Sequence, residues 1–208
     1  LSIAAAEAAH SVEAVAGFGV HTSKPTINGE EVMGRVHRER DRFVGFVLEG
    51  VESIEEKHHV RNHATFLDDH TLQVGDSKIE AKTVVIATGS SPTIMPMFEG
   101  LGDRLIVNDD IFEWETLLES VAVFGPGVIG LELGQALHRL GVRIRLFGRS
   151  GSLKPLSDQV IRDYAVKVFQ AEFRLDTKAN VRGMQREADH IRIRFVDRED
   201  GIEKTKKF

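Results

Sequence analysis

The segment Ser120 to Arg149 constrains this chain more than any other. A short apolar run, Val121-Ala122-Val123-Phe124, leads into Gly125-Pro126-Gly127-Val128-Ile129-Gly130, then a helix-forming stretch, then a second apolar run. Leu131, Leu133, Ala136, Leu137 and Leu140 make a stripe at helical spacing, and Gly141 stands where a left-handed residue would end the helix. Val142, Ile144, Leu146 and Phe147 read as the next buried strand. Three glycines at this spacing also occur in ordinary tight turns. Between a strand and a helix they favour a dinucleotide site: the first makes the turn, the second admits the pyrophosphate, and the third lets helix and strand approach. Free N–H groups at the helix start would then meet the negative charge.

The 208 residues leave room for one large domain or two small ones. With 41% hydrophobic and 28% charged residues, the composition is that of an ordinary globular protein, and no apolar run is long enough to span a bilayer. A net charge of −5 argues against a nucleic-acid partner, because such proteins carry a basic face. The basic ending Lys204-Thr205-Lys206-Lys207 is too short to reverse this and reads as a solvated strand edge or linker. With no cysteine, neither a disulfide nor a thiolate metal site is available. The chain starts at Leu1 without the basic start and apolar core of a secretory signal, and reads as an internal piece of a longer protein.

Leu1 to Val15 is alanine-rich and predicts a helix. A second, amphipathic helix is expected from Glu30, with Val32, Met33, Val36, Phe43, Val44, Val47, Leu48 and Val51 on its buried face. From His58 on, β-branched runs broken by Asp68-Asp69 and Gly75-Asp76 predict an antiparallel meander. Lys82 to Ala87 predicts a buried strand that stops at Thr88-Gly89-Ser90-Ser91-Pro92. A short strand is expected around Leu105 to Val107 and a helical turn near Trp114. After a loop from Gly148 to Leu156, a helix capped by Ser157 should bury Val160, Ile161, Tyr164, Val168 and Phe169. Ile191, Ile193 and Phe195 alternate with Arg192 and Arg194, as in a half-buried strand. Two α/β units result, divided near residue 110.

Thr83-Val-Val-Ile-Ala-Thr-Gly-Ser-Ser-Pro92, followed by Ser120 to Gly134 with its glycine turn, resembles the pyridine-nucleotide disulfide oxidoreductases, in particular those of the dihydrolipoamide dehydrogenase type. The resemblance covers nearly the whole chain. It implies Rossmann-like, three-layer α/β domains that bind FAD and NAD(P), in two units that each carry a β-meander. Residues 1–110 would be a partial FAD-binding domain lacking its first glycine motif, and residues 111–208 an NAD(P)-binding domain. Leu1 to His10 resembles the helix that follows the family's redox-active cysteine pair, and Asn62-His63-Ala64-Thr65-Phe66 a segment that touches the flavin's adenine, with Asn62 in place of the usual glycine.

By the same resemblance, Gly125, Gly127, Val128, Ile129 and Gly130 hold the NAD(P) pyrophosphate, and Glu132 lies at the nicotinamide end, where a carboxylate accepts a carboxamide N–H. Ala64, Ala87, Thr88, Gly89 and Ser90 would contact FAD. The family's acidic residue for the adenosine ribose falls at Gly148, with Arg149 next to it. Loss of that carboxylate, with Arg149 and Lys154 available for a 2′-phosphate, favours NADP over NAD.

The family's catalytic cysteines, histidine and glutamate have no counterpart here, so no catalytic residue is assigned and the piece alone is expected to be inactive. His58, His59, His63 and His70 lie in a meander whose alternation separates neighbours, and they are not read as a metal site. The expected parent is a cytoplasmic homodimeric oxidoreductase that passes hydride between nicotinamide and flavin, with a small or lipoyl-type disulfide as substrate. Two alternatives keep the nucleotide site: a flavin reductase or NAD(P)H oxidase without the disulfide step, and a non-enzymatic nucleotide-binding module.

Overall fold

The computed structural model describes residues 2–151, 153–197 and 200–208. Leu1, at the start of the first expected helix, and Ser152, in the expected loop before the last helix, lie outside them. By contact density the chain forms two units, residues 1–40 with 94–208, and residues 41–93.

The larger unit opens with α1 (Ser2–Ala14) and the first half of α2 (Gly29–Glu52). Its centre is a parallel sheet of β4 (Ser120–Phe124), β5 (Arg143–Phe147) and β6 (Arg174–Asp176), in that order. The connections are α3 (Val128–Arg139) and α4 (Gln159–Glu172). Beyond them lies an antiparallel meander of β7 (Asn180–Arg186), β8 (Ile191–Val196) and β9 (Glu203–Lys207).

Alternation along the strands sorts the side chains into two cores. Val121, Val123, Ile144 and Leu146 join Leu131 and Leu137 of α3 and Phe169 of α4, whereas Ala122, Phe124 and Phe147 join Ile193 and Phe195 of β8. The result is three layers: helices, parallel sheet and meander. Arg145 points to the meander side, over the Phe195 ring at 4.1 Å and 3.5 Å from buried Asp197, to which Lys204 also bonds at 3.0 Å.

Gly141 closes α3 as expected. Its φ is +90°, its N–H bonds to His138 O at 2.9 Å, and the Val142 N–H reaches Leu137 O at 3.0 Å. That is a Schellman cap, and it delivers the chain directly into β5. Ala6 of α1 packs with Ala136 and Leu140 of the α3 end, and the two alanines allow close approach.

Several expectations need correction. The α4 cap is Asp158, whose carboxylate accepts from the Ile161 N–H at 2.9 Å, not Ser157. Val160, Ile161, Tyr164 and Val168 are exposed; of the expected face only Phe169 packs, together with Ala165 and Val166. On α2 only Met33 and Val36 are buried, while Phe43, Val44, Val47, Leu48 and Val51 are exposed. Residues 105–107 form no strand; they run between two short helical turns, Gly102–Arg104 and Asp110–Glu113.

The smaller unit carries the second half of α2 and the expected meander: β1 (Ala64–Phe66), β2 (Thr71–Val74) and β3 (Ser77–Glu80), paired antiparallel. The Asp68 carboxylate accepts from the His70 and Thr71 N–H groups and shapes the first turn, and Gly75, at φ +57°, shapes the second. The strand expected at 82–87 is absent. The segment is unpaired, and Val85 and Ile86 are 82% and 71% exposed. A strand needs a neighbour for its N–H and C=O groups, and among the described residues none pairs with this one.

Candidate functional site: a glycine turn at the start of a helix

The three glycines of the turn have three different physical tasks. Gly125 adopts φ +109°, open only to glycine, while its N–H bonds to Phe147 O of β5 at 2.9 Å. Gly127 is the N-cap of α3, in extended conformation, and brings no side chain to cap the helix. Gly130 is required by contact: a Cβ there would stand 2.1 Å from Gly125 O. The first turn of α3 has neither an acidic residue nor a side-chain cap, so its N–H groups and the positive end of the helix dipole are left for an external anion. Val128 and Ile129, in that turn, are exposed.

Gly148 lies beside this turn at the end of β5. Its N–H donates to Asp176 O at 2.6 Å, and its carbonyl accepts from the Ala179 N–H at 2.6 Å. The residue is buried and Arg149, next to it, is exposed. A Cβ on Gly148 would meet Pro126 Cγ at 2.7 Å and Thr177 O at 2.8 Å. The position therefore lacks room for any side chain, a restriction invisible in the sequence because Thr177 arrives from beyond β6.

Along α3 from the turn, Val128, Leu131, Glu132 and Gln135 form one wall of an open cleft of about 300 Å³; Leu153 to Leu156 and Phe169 form the rest. The cleft is apolar within, and Glu132, Gln135 and Lys154 supply its polar groups. Lys154 thus shares the cleft with Glu132. Farther along α3, Gln135 donates to Glu172 at 2.7 Å, and the Arg139 guanidinium bridges Glu172 at 2.6 Å and Glu7 of α1 at 2.7 Å.

The residues expected to contact flavin belong to the smaller unit. Ala64 opens β1 opposite Val74, and Ala87, Thr88, Gly89 and Ser90 are exposed in a segment without regular structure, with Gly89 at φ +70°. Among the described residues, no group of three His, Cys, Asp or Glu side chains is placed to hold a metal ion. No described helix is long and apolar enough to cross a membrane.

The sequence model described as "Pyridine nucleotide-disulphide oxidoreductase" matches residues 3–206. The chain belongs to that family. A dihydrolipoyl dehydrogenase of Buchnera aphidicola subsp. Schizaphis graminum is 25% identical over 89% of this chain and 40% of its own length. A glutathione reductase of Nostoc sp. is 30% identical over 72% of the chain and 32% of its own length. A mercuric reductase of Staphylococcus aureus is 35% identical over 50% of the chain and 19% of its own length. The chain thus spans less than half of each of these relatives. Among solved structures, LpdA of Mycobacterium tuberculosis superposes over 98% of the chain and 45% of its own, with a TM-score of 0.71 at 20% identity, a likeness of fold.

Proposed function

We propose that these residues are the central part of an FAD-dependent NAD(P)H oxidoreductase of the dihydrolipoamide dehydrogenase type. Residues 1–110 would contribute to the flavin domain and residues 111–208 would form the nicotinamide-nucleotide domain. The compact units do not follow that boundary, because α1 packs on α3. The observation that carries the reading is Gly130, whose missing Cβ lets α3 start hard against the Gly125 carbonyl, with its uncapped first turn open to an anion. The site fits a pyrophosphate: donors are present, negative charge is absent from the first turn, and two of the three glycines have a steric or conformational need to be glycine.

In this reading the N–H groups of Val128, Ile129 and Gly130 bind the NAD(P) pyrophosphate. Glu132 would accept the carboxamide N–H and orient the nicotinamide ring, beside the apolar walls of the cleft. At the other end, Gly148 and Arg149 favour NADP. Ala64 and Ala87 to Ser90 line the FAD site. The bound cofactors supply a hydride donor and its acceptor, and the protein holds and orients them. The substrate of the whole protein would be a small or lipoyl-type disulfide, and the protein a homodimer of the cytoplasm; the family and the dihydrolipoyl dehydrogenase relatives support the disulfide.

The test is an anaerobic titration of the full-length protein with NADPH and with NADH, followed by turnover with lipoamide. The expected result is a flavoprotein whose visible absorbance is bleached by the reduced nicotinamide and recovers with the disulfide. Bleaching without recovery on lipoamide would contradict the disulfide substrate, and absence of flavin would contradict the reading as a whole.

A further inference from the structure

Helix α4 is apolar on two faces. One packs on the core through Ala165, Val166 and Phe169. On the other, Val160, Ile161, Tyr164 and Val168 are all exposed, Val160 to 77% and Tyr164 to 69%. A surface helix with one partner is polar on its outer side, so a second apolar stripe along it marks a face that something covers.

The charges beside the stripe say what fits there. At 3.6 residues per turn Asp163 and Lys167 follow one another along one edge of it, both exposed. The Asp163 carboxylate accepts from Gln159 Nε2 at 2.8 Å at each oxygen, and among the described residues neither Asp163 nor Lys167 makes an ion pair. The other edge carries Glu172, already held by Gln135 and Arg139 of α3. The open edge therefore bears one negative and one positive charge a turn apart, a pattern that complements itself when reversed.

We propose that this face of α4 is an interaction surface for the same face of a second copy of the chain, the two helices running antiparallel about a two-fold axis. In a two-fold contact one patch serves both sides, so residue i meets j wherever j meets i. Setting Asp163 against the partner's Lys167 also sets Lys167 against the partner's Asp163. The same register brings Ile161 beside the partner's Val168 and Tyr164 beside the partner's Tyr164, close to the axis. The charges fix orientation and register, and the aromatic and aliphatic side chains supply the buried area. One helical face is small beside the about 800 Å² per partner of a standard interface, so the pairing is weak and depends on concentration. It does not rest on the dinucleotide reading, for no residue of the stripe lines the cleft or the glycine turn.

Sedimentation velocity of the full-length protein over a concentration series, alongside thermal unfolding, tests this on the parent, Y164E, D163K, K167D and an equimolar mixture of the last two. The parent should sediment faster as its concentration rises. Y164E should weaken that association by about tenfold or more and keep the parent's Tm. D163K and K167D should each associate less than the parent, because like charges then face each other across the axis. Their mixture should associate as the parent does, since each chain meets opposite charges on the other; a role for the pair within its own helix cannot give that recovery. The proposal is overturned if the parent shows no concentration-dependent association, if Y164E leaves it unchanged, or if the mixture associates no better than either variant alone. A lowered Tm in Y164E with unchanged sedimentation would assign the face to another part of the same polypeptide and overturn it as well.

Discussion

At the scale of single residues, Gly130 carries the tightest constraint in the site. Gly130→Ala places a methyl group 2.1 Å from the Gly125 carbonyl, which forces α3 away from β4. The expected outcome is a loss of dinucleotide affinity of about a hundredfold, with a stability cost of about 1–3 kcal/mol, read by calorimetry and urea unfolding. Gly127→Ala meets nothing within 4 Å, so its effect on stability should be the smaller of the two. The turn at Gly125 and the close packing at Gly130 were legible in the sequence because the positive φ of the one and the contact of the other arise within a single strand–turn–helix. Gly148 was legible only as a missing carboxylate. Its walls are Pro126 and Thr177, distant in sequence, and only the folded chain shows that a side chain has no place there.

Between elements, Glu172 is the tie among three helices. It holds Gln135 and Arg139 of α3 from the end of α4, and Arg139 reaches on to Glu7 of α1. Burial alone would push the Glu172 carboxyl up; hydrogen bonds from Arg139 and Gln135 and the Arg139 charge outweigh it and hold the group below the usual carboxylate range. A carboxyl lowered by folding stabilises fully above its unfolded value, and that contribution disappears as pH falls through the folded one. Glu172→Gln should therefore cost about 1–3 kcal/mol at neutral pH and progressively less in acid, as measured by urea unfolding across a pH series. Equal cost at every pH would contradict the ionic role. Helix existence was readable from the 3.6-residue period, but the packed face of α4 was readable only at Phe169. Val160, Ile161, Tyr164 and Val168 form the more apolar stripe, yet Ala165 and Val166 are the residues that join Phe169 against the core. Likewise, 82–87 has the composition of a buried strand, and composition does not supply the neighbour that a strand must pair with.

At the scale of the molecule, the larger unit presents helix, parallel sheet and meander around two cores, with the glycine turn at the sheet edge where β4 gives way to α3. This is where an open α/β sheet offers backbone donors to a ligand, so the topology supports the proposed site alongside the motif. The central claim is that the first turn of α3 receives the pyrophosphate of a nicotinamide dinucleotide. Hydrogen exchange of the full-length protein, with and without saturating NADP+, tests it most directly. The account predicts slowed exchange at the amides of Val128, Ile129 and Gly130, lost together with binding in Gly130→Ala. NADP+ binding that leaves exchange in this turn unchanged would contradict it.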